Sequence, residues 1–192
     1  MEFHDVLAGR RSCRAFDPAP VPEADVTSII EAGCLAPSPL NLQPWEFVVV
    51  TDNAVKKEIR GVADAAKQAV LDADGPTWVN KYPMDFLETT PLMIAVTVNP
   101  KRGGLGEFFN QPLGAYQAGS ACVQNMMLAA AELGYESLWF TFFDPARLAP
   151  VLAIPESLQI AGLILIGNPV EPTKAPPRKA PKVHDQKYTA QS

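Results

Sequence analysis

Residues 111–134 read QPLGAYQAGSACVQNMMLAAAELG, a long segment that is apolar almost all round. This pattern predicts a helix over residues 111–133 that is buried on most of its sides. Small residues such as Gly114, Ala118 and Gly119 allow another helix to approach closely, and Gly134 is well placed to end the helix. The segment therefore predicts a helix at the centre of a packed domain.

Four short apolar runs on either side of this helix predict a sheet. The predicted strands are residues 45–50, 92–98, 138–143 and 159–166. Further helices are predicted around Phe3, Val6 and Leu7, from Pro22 to Cys34, from about residue 53 to residue 73, and after Asp144. Residues 74–91 are expected to form a mixed loop. Because the strands are almost continuously apolar and alternate with helices, we expect a sheet that is covered on both faces.

Composition limits the class of protein and its partners. The chain has 192 residues and a formal net charge of −5, which suits one domain and argues against nucleic acid or an anionic membrane as the main partner. Three irregularly spaced cysteines favour reduced thiols. No run of eighteen apolar residues and no signal-peptide pattern occurs, so we expect a cytoplasmic protein without a membrane span.

The composition changes at Pro169. Residues 169–192 contain five prolines, five lysines or arginines and two acidic residues, with few large apolar side chains. Such a segment has too little apolar surface to fold alone. It is either a disordered tail or an extended arm that packs on a partner subunit, so we divide the chain into a domain at 1–168 and an arm at 169–192.

The densest cluster of charge is Arg10-Arg11-Ser12-Cys13-Arg14, in a chain that is otherwise acidic. A guanidinium can hold a phosphate through two hydrogen bonds or face the carbonyl-rich edge of a ring. The alternative interpretation is a solvated basic turn. Cys13 lies among these cations, where a reactive thiol or a small filler residue would both fit.

A second polar segment precedes the first strand. Residues 36–45 read APSPLNLQPW, in which three prolines favour a rigid loop and Ser38, Asn41 and Gln43 offer hydrogen-bonding groups. Such a loop is a common place for a ligand, although it could equally be a plain connection between a helix and a strand.

Together these segments resemble the nitroreductase superfamily. Its Arg-Arg-Ser-x-Arg motif matches residues 10–14, and its Pro-Ser-x-x-Asn-x-Gln-Pro-Trp motif matches residues 37–45. Later parts of the resemblance are Gln124-Asn125, Leu128-Ala129-Ala130, Leu133-Gly134, Ile166-Gly167-Asn168-Pro169 and Arg178. The resemblance thus covers nearly the whole chain.

The resemblance implies an α+β fold with a central mixed β-sheet flanked by helices and a domain-swapped C-terminal arm. It also implies a homodimer that binds FMN at the subunit interface. The implied phosphate and ribityl binders are Arg10, Arg11, Ser12 and Arg178; Arg14 matches the position that faces the flavin N1 and C2 carbonyl. Pro37 and Ser38, with Asn41 nearby, match positions from the other subunit, and Thr141 and Phe142 match the segment that approaches N5.

This implied site assigns the catalytic roles to Arg14, Thr141 and Phe142. NADH or NADPH would donate electrons, and a small electron-poor acceptor such as a nitroaromatic or a quinone would receive them. A fixed guanidinium beside the flavin ring favours its reduced, negatively charged form. The alternatives are a flavin-dependent dehalogenase or dehydrogenase of the same superfamily, and a flavin-binding module without turnover. The flavin-fragmenting relatives have an aspartate where this chain has Ser12.

Other sites are poorly supported by the sequence. The glycines at 103, 104 and 106 match no nucleotide-binding pattern, the scattered His and Cys residues lack metal-ligand spacing, and no Gly-x-Ser-x-Gly motif occurs. The aromatic residues Trp78, Tyr82, Phe86, Phe108 and Phe109 fit either the core or a substrate channel.

Overall fold

The computed structural model describes residues 2–188. Its regular elements in chain order are α1 (Phe3–Gly9), α2 (Glu23–Cys34), β1 (Trp45–Val50), α3 (Asn53–Asp72), α4 (Phe86–Thr89), β2 (Leu92–Val98), α5 (Gly114–Glu132), β3 (Glu136–Phe140), α6 (Pro145–Val151) and β4 (Gln159–Gly167). Short 3-10 helices lie at Pro39–Asn41, Thr77–Lys81, Pro100–Arg102 and Gly106–Phe109. Residues 189–192 of the predicted arm lie outside the described residues.

The four strands form one sheet in the order β1-β2-β4-β3, and every neighbouring pair is antiparallel. The predicted α+β class is confirmed, but the expected mixture of strand directions is limited. Within residues 2–188, parallel pairing occurs only in an isolated bridge between Ser12 and Ser137. The sequence does indicate a sheet that is buried on both faces. Parallel sheets are usually buried in this way, but antiparallel sheets can be too, so the pattern does not determine strand direction.

Each face of the sheet carries its own apolar core, because side chains alternate between the faces along a strand. Met93 and Leu165 point to the face that is covered by α3 and α6, which contribute Ile59 and Leu148. The opposite face is covered by α2 and α5; its core includes Ile94, Ile164, Ile29, Val123 and Met126. The sheet is therefore buried on both sides, as predicted.

Helix α5 packs closely against both α2 and the sheet. A Cβ at Gly33 would lie 2.6 Å from Met126 Cγ, and one at Gly119 would lie 2.5 Å from Val98 Cγ1. The predicted buried helix is confirmed, although it begins at Gly114 rather than residue 111. The Gly103 carbonyl oxygen occupies the space beside Gly114, where a Cβ would lie 2.2 Å away.

Two segments differ from the sequence-based expectation. Residues 74–91 contain a 3-10 helix and α4, which place Val79, Phe86 and Leu87 in the core. In α1, Val6 is buried, but Phe3 is 65% exposed and Leu7 also faces outward. An apolar spacing of three and four residues predicts a helix, but it does not say which of the residues are covered.

The first part of the C-terminal arm lies against its own chain. Val170 N donates to Ala15 O at 2.9 Å, and Asp17 N donates to Asn168 O at 2.8 Å. Farther along, the Thr173 amide donates to Glu136 Oε1 at 3.0 Å, and its hydroxyl donates to the same carboxylate. These contacts hold the arm beside residues 11–17; the wrapping of a partner by later residues stays a prediction.

Helix α3 begins with a side-chain cap that gives a stability prediction. Asp52 Oδ1 accepts hydrogen bonds from Ala54 N at 2.6 Å and Val55 N at 3.4 Å. We expect Asp52→Ala to reduce the free energy of unfolding by about 1 kcal/mol, since these amides lose their acceptor. Urea denaturation measures the change. Thr51→Ala, at the preceding exposed position, is the control, and an equal loss in both variants would contradict the prediction.

Candidate functional site

The arginine-rich segment is fixed to the edge of the sheet. Cys13 N donates to Ser137 O at 3.0 Å, and Ser137 N donates to Arg11 O at 3.4 Å. These bonds place residues 11–13 beside β3, the edge strand. The same strand leads directly to Thr141 and Phe142, so the sheet brings together two segments that are far apart in the sequence.

Arg11 closes the C-terminal arm onto this segment. Its Nε donates to Thr173 O at 3.2 Å, and its Nη1 donates to Arg10 O at 3.0 Å and also to Ala8 O. Nε and Nη1 of the guanidinium therefore donate to backbone carbonyls. The bond to Thr173 O holds the arm against this segment, while cofactor binding by Arg11 stays a prediction.

A pocket of about 360 Å³ lies between the arginine-rich segment and the arm. Its lining residues are Arg10, Arg11, Ser12, Arg14, Thr173, Lys174, Ala175, Pro176 and Arg178. Four of the predicted phosphate and ribityl residues, Arg10, Arg11, Ser12 and Arg178, thus line one pocket. We call it the arginine pocket.

No carboxylate among residues 2–188 forms a salt bridge with an arginine of the arginine pocket. The salt bridges found between residues 2 and 188 are formed by Arg60 and Arg147, which do not line this pocket. Burial lowers the pKa of Arg10, and the adjacent positive charges of Arg178 and Arg11 lower it further. Guanidiniums that are close together without a carboxylate form a site that an anion would stabilise.

Arg14 lies at the edge of this pocket and contacts an aromatic cluster. Its Nε donates to the Tyr82 hydroxyl oxygen at 3.0 Å, and its guanidinium carbon is 5.4 Å from the centroid of the Tyr82 ring. Phe142 lies 6.0 Å from Tyr82 and 6.2 Å from Trp78, measured between ring centroids. Arg14 and Phe142 therefore meet the same tyrosine, while Thr141 is exposed at the end of β3.

Tyr82 is the site residue that sequence reasoning did not single out. It was one of five aromatic residues assigned either to the core or to a channel, and it is separated from Arg14 by 68 positions. Trp78 and Phe86 belong to the same cluster, whereas Phe108 and Phe109 are exposed and outside it. No local sequence signal distinguishes Tyr82 from the other four.

The loop with the second motif lies elsewhere in the same chain. Pro37 and Ser38 line a separate pocket of about 230 Å³ with residues of α5, while Asn41 is exposed. Ser38 Oγ accepts a hydrogen bond from Gln43 N at 3.0 Å, and Gln43 Nε2 donates to Asn41 Oδ1 at 3.2 Å. Leu40, Asn41 and Gln43 have positive φ angles, a strained conformation that is concentrated at functional loops.

Cys13 and the glycine-rich segment, two further features of the sequence, have structural roles. Cys13 is buried, and burial raises the pKa of its thiol, which favours the unreactive protonated form. In the glycine-rich segment, a Cβ at Gly104 would lie 2.7 Å from Pro39 Cβ, and one at Gly106 would lie 2.0 Å from Gln111 O. These glycines permit close packing of the loop.

In residues 2–188, no cluster of three His, Cys, Asp or Glu side chains could hold a metal ion, and no helix is long and apolar enough to cross a membrane.

The fold and the site define an α+β protein in which a cationic pocket adjoins an aromatic cluster at the edge of an antiparallel sheet. The model of the Nitroreductase family matches residues 7–168. The chain therefore belongs to the nitroreductase family.

Similar proteins within this family have different activities in their names. The chain is 30% identical to an NADH dehydrogenase of Thermus thermophilus over 186 residues, which cover 84% of each chain. It is 28% identical to the 5,6-dimethylbenzimidazole synthase of Rhodospirillum rubrum, over 84% of this chain and 79% of the relative. The crystal structure of iodotyrosine deiodinase bound to FMN and 3-iodo-L-tyrosine has the same fold, with a TM-score of 0.84 at 22% identity over 97% of this chain and 100% of that chain.

Proposed function

We propose that this protein is an FMN-dependent oxidoreductase that transfers electrons from NADH or NADPH to a small electron-poor acceptor, such as a nitroaromatic or a quinone. The observation that carries the proposal is the arginine pocket, where Arg10 and Arg178 are close together and form no salt bridge with a carboxylate of the described residues. In a chain with a net charge of −5, such a concentration of cations favours the binding of an anion.

The residues of the arginine pocket fit an FMN phosphate. A phosphate dianion needs several charge-assisted donors, which the guanidiniums of Arg10 and Arg178 supply, and the Ser12 hydroxyl adds a neutral donor. Arg14, at the edge of the pocket, is placed to face the carbonyl-rich side of the flavin ring. When bound, FMN supplies the two-electron chemistry that connects a reduced nicotinamide to the acceptor.

The chain's own residues then bind and orient rather than react. Arg14 would hold a permanent positive charge beside the flavin ring, which gains negative charge on reduction. Phe142 and Trp78 provide apolar surface on which planar aromatic molecules can stack, and Trp78 is 58% exposed. The proposed catalytic set is Arg14, Thr141 and Phe142, and it requires no protein nucleophile.

A homodimer is part of the proposal, with FMN at the interface. Pro37 and Ser38 line a pocket that is separate from the arginine pocket, so a second copy is the means by which they would reach the flavin. Exposed apolar side chains around α1, α2 and α5 support an interface there. They include Phe3, Leu35, Leu40, Leu113 and Leu133. The three free cysteines agree with a reducing, cytoplasmic location.

A flavin-dependent dehalogenase is the second candidate function. It is favoured by the match to iodotyrosine deiodinase, which spans 97% of this chain. In that case FMN would occupy the same pocket, while the acceptor would be a halogenated aromatic compound. Assays of nitroaromatic reduction and of halide release separate the two candidates.

The first test is the absorbance spectrum of the purified protein, followed by anaerobic addition of NADH or NADPH. We expect flavin bands that bleach with at least one nucleotide. Bands that persist under both nucleotides would favour a dehalogenase with another reductant, or a binding module without turnover. Failure to bind FMN after reconstitution would refute the proposal.

A further inference from the structure

Tyr82 is held from three directions, each by a different kind of contact. Its carbonyl oxygen accepts a hydrogen bond from Lys67 Nζ at 2.8 Å. Its ring meets Phe86 edge to face, with centroids 6.2 Å apart and an interplanar angle of 84°, and Phe86 is itself buried. The Tyr82 ring is thus supported by the core while its hydroxyl points towards the arginine-rich segment.

The Tyr82 hydroxyl fixes the direction of Arg14. Arg14 is exposed, and its other hydrogen bond is a long one of 3.4 Å from Nη1 to Ser12 O. Across residues 2–188, no carboxylate forms a salt bridge with Arg14. An arginine side chain on the surface has many rotamers, so an acceptor at 3.0 Å and a ring beneath the guanidinium restrict it considerably.

The same ring connects Arg14 to the end of β3. Tyr82 lies 6.0 Å from Phe142 at an interplanar angle of 63°, and 5.8 Å from Trp78 at 73°. Both are edge-type contacts, which constrain the angle between the rings as well as their distance. The backbone bonds to β3 bring the two segments together, and the Tyr82 ring connects the side chains of Arg14 and Phe142.

We propose that Tyr82 is a positioning residue that holds Arg14 in the orientation required to stabilise reduced FMN. This inference rests on the proposed function. A guanidinium stabilises developing negative charge most effectively when it is already in place, because no free energy is then spent on ordering it. Tyr82 supplies that order through its hydroxyl, and the ring contacts keep the hydroxyl in position.

The test compares oxidised and reduced FMN bound to the wild type and to Tyr82→Phe. This variant keeps the ring and its aromatic contacts but removes the oxygen that accepts from Arg14. We expect the preference for reduced over oxidised FMN to fall about tenfold, which lowers the midpoint potential by about 30 mV for a two-electron couple. The affinity for oxidised FMN and the melting temperature should change little.

Three further proteins show whether Tyr82 acts through Arg14. Arg14→Met removes every donor of the guanidinium but keeps a long unbranched side chain, and adding Tyr82→Phe to this variant should produce no further shift in potential. Tyr135→Phe is the matched control, since it removes a tyrosine hydroxyl that donates to Asp25 at 2.6 Å on another part of the molecule. We expect its potential to equal that of the wild type.

The outcomes separate this inference from the proposed function. An unchanged potential in Tyr82→Phe, or an equal shift in the presence and absence of Arg14→Met, would overturn the positioning role while FMN binding stands. A shift in the Tyr135→Phe control as large as that in Tyr82→Phe would also overturn it. A wild-type protein that binds no FMN would overturn both.

Discussion

Replacing Arg10 with glutamine is expected to weaken FMN binding by about 100-fold. Two charge-assisted hydrogen bonds of about 1.5 kcal/mol each are lost from the phosphate, and about 1.4 kcal/mol corresponds to a tenfold change in affinity. The variant keeps a polar side chain in the arginine pocket. The loss of affinity therefore measures the contribution of the guanidinium's charge and of the arrangement of its donors. Titration with FMN, followed by quenching of flavin fluorescence, measures the dissociation constant.

In the absence of FMN, the same substitution should not destabilise the protein. Burial and the charges of Arg178 and Arg11 disfavour the cation of Arg10, as the lowered pKa of its guanidinium indicates. Removing that charge relieves the repulsion, so the melting temperature of the FMN-free protein should stay equal or rise. Arg102→Gln, at an exposed arginine outside the pocket, is the control for a general change in charge. Equal affinities in the two variants would refute the phosphate role.

Phe140→Ala is expected to cause the largest loss of stability, about 4 kcal/mol. Phe140 is 2% exposed at the end of β3, and its ring contacts Phe86 at 5.8 Å and Phe143 at 6.0 Å. Truncation removes both contacts and leaves a cavity beneath the aromatic cluster. Chemical denaturation at a fixed protein concentration measures the change, which corresponds to roughly 10 °C in melting temperature for a chain of this size.

Phe108→Ala removes the same number of atoms from a surface residue and serves as the control. Phe108 is 81% exposed, so its truncation should change the free energy of unfolding by less than about 0.5 kcal/mol. If Phe140→Ala were no more destabilising than Phe108→Ala, the assignment of Phe140 to the core would be wrong.

The sequence predicted the elements of the fold better than their arrangement. The four strands and helix α5 were expected within a few residues of their observed bounds, because long apolar runs and small-residue helices have strong patterns. Strand direction was not recoverable, because β2 and β4 are buried along most of their length and such strands occur in parallel and antiparallel sheets alike.

The sequence motifs predicted which residues belong to the candidate site, but not the contacts between them. The motif at residues 10–14 pointed to the arginine pocket and to Arg178, and the structure places them together. It did not show that Arg11 would be used to hold Thr173, or that Glu136 would hold the same residue from β3. Such contacts depend on how the arm meets the sheet, which no local pattern encodes. The hydrogen bond between Arg14 and Tyr82 was missed because it joins residues 68 positions apart.

The hydrogen bond from Arg11 to Thr173 joins residues 162 positions apart and has a consequence for the order of biosynthesis. A ribosome releases the arginine-rich segment first, whereas Arg178 emerges only after the whole sheet has been translated. The two halves of the arginine pocket therefore meet late, since a chain that stops before the arm contains the residues of both apolar cores but lacks Arg178. FMN would then bind only to chains whose synthesis has reached the arm.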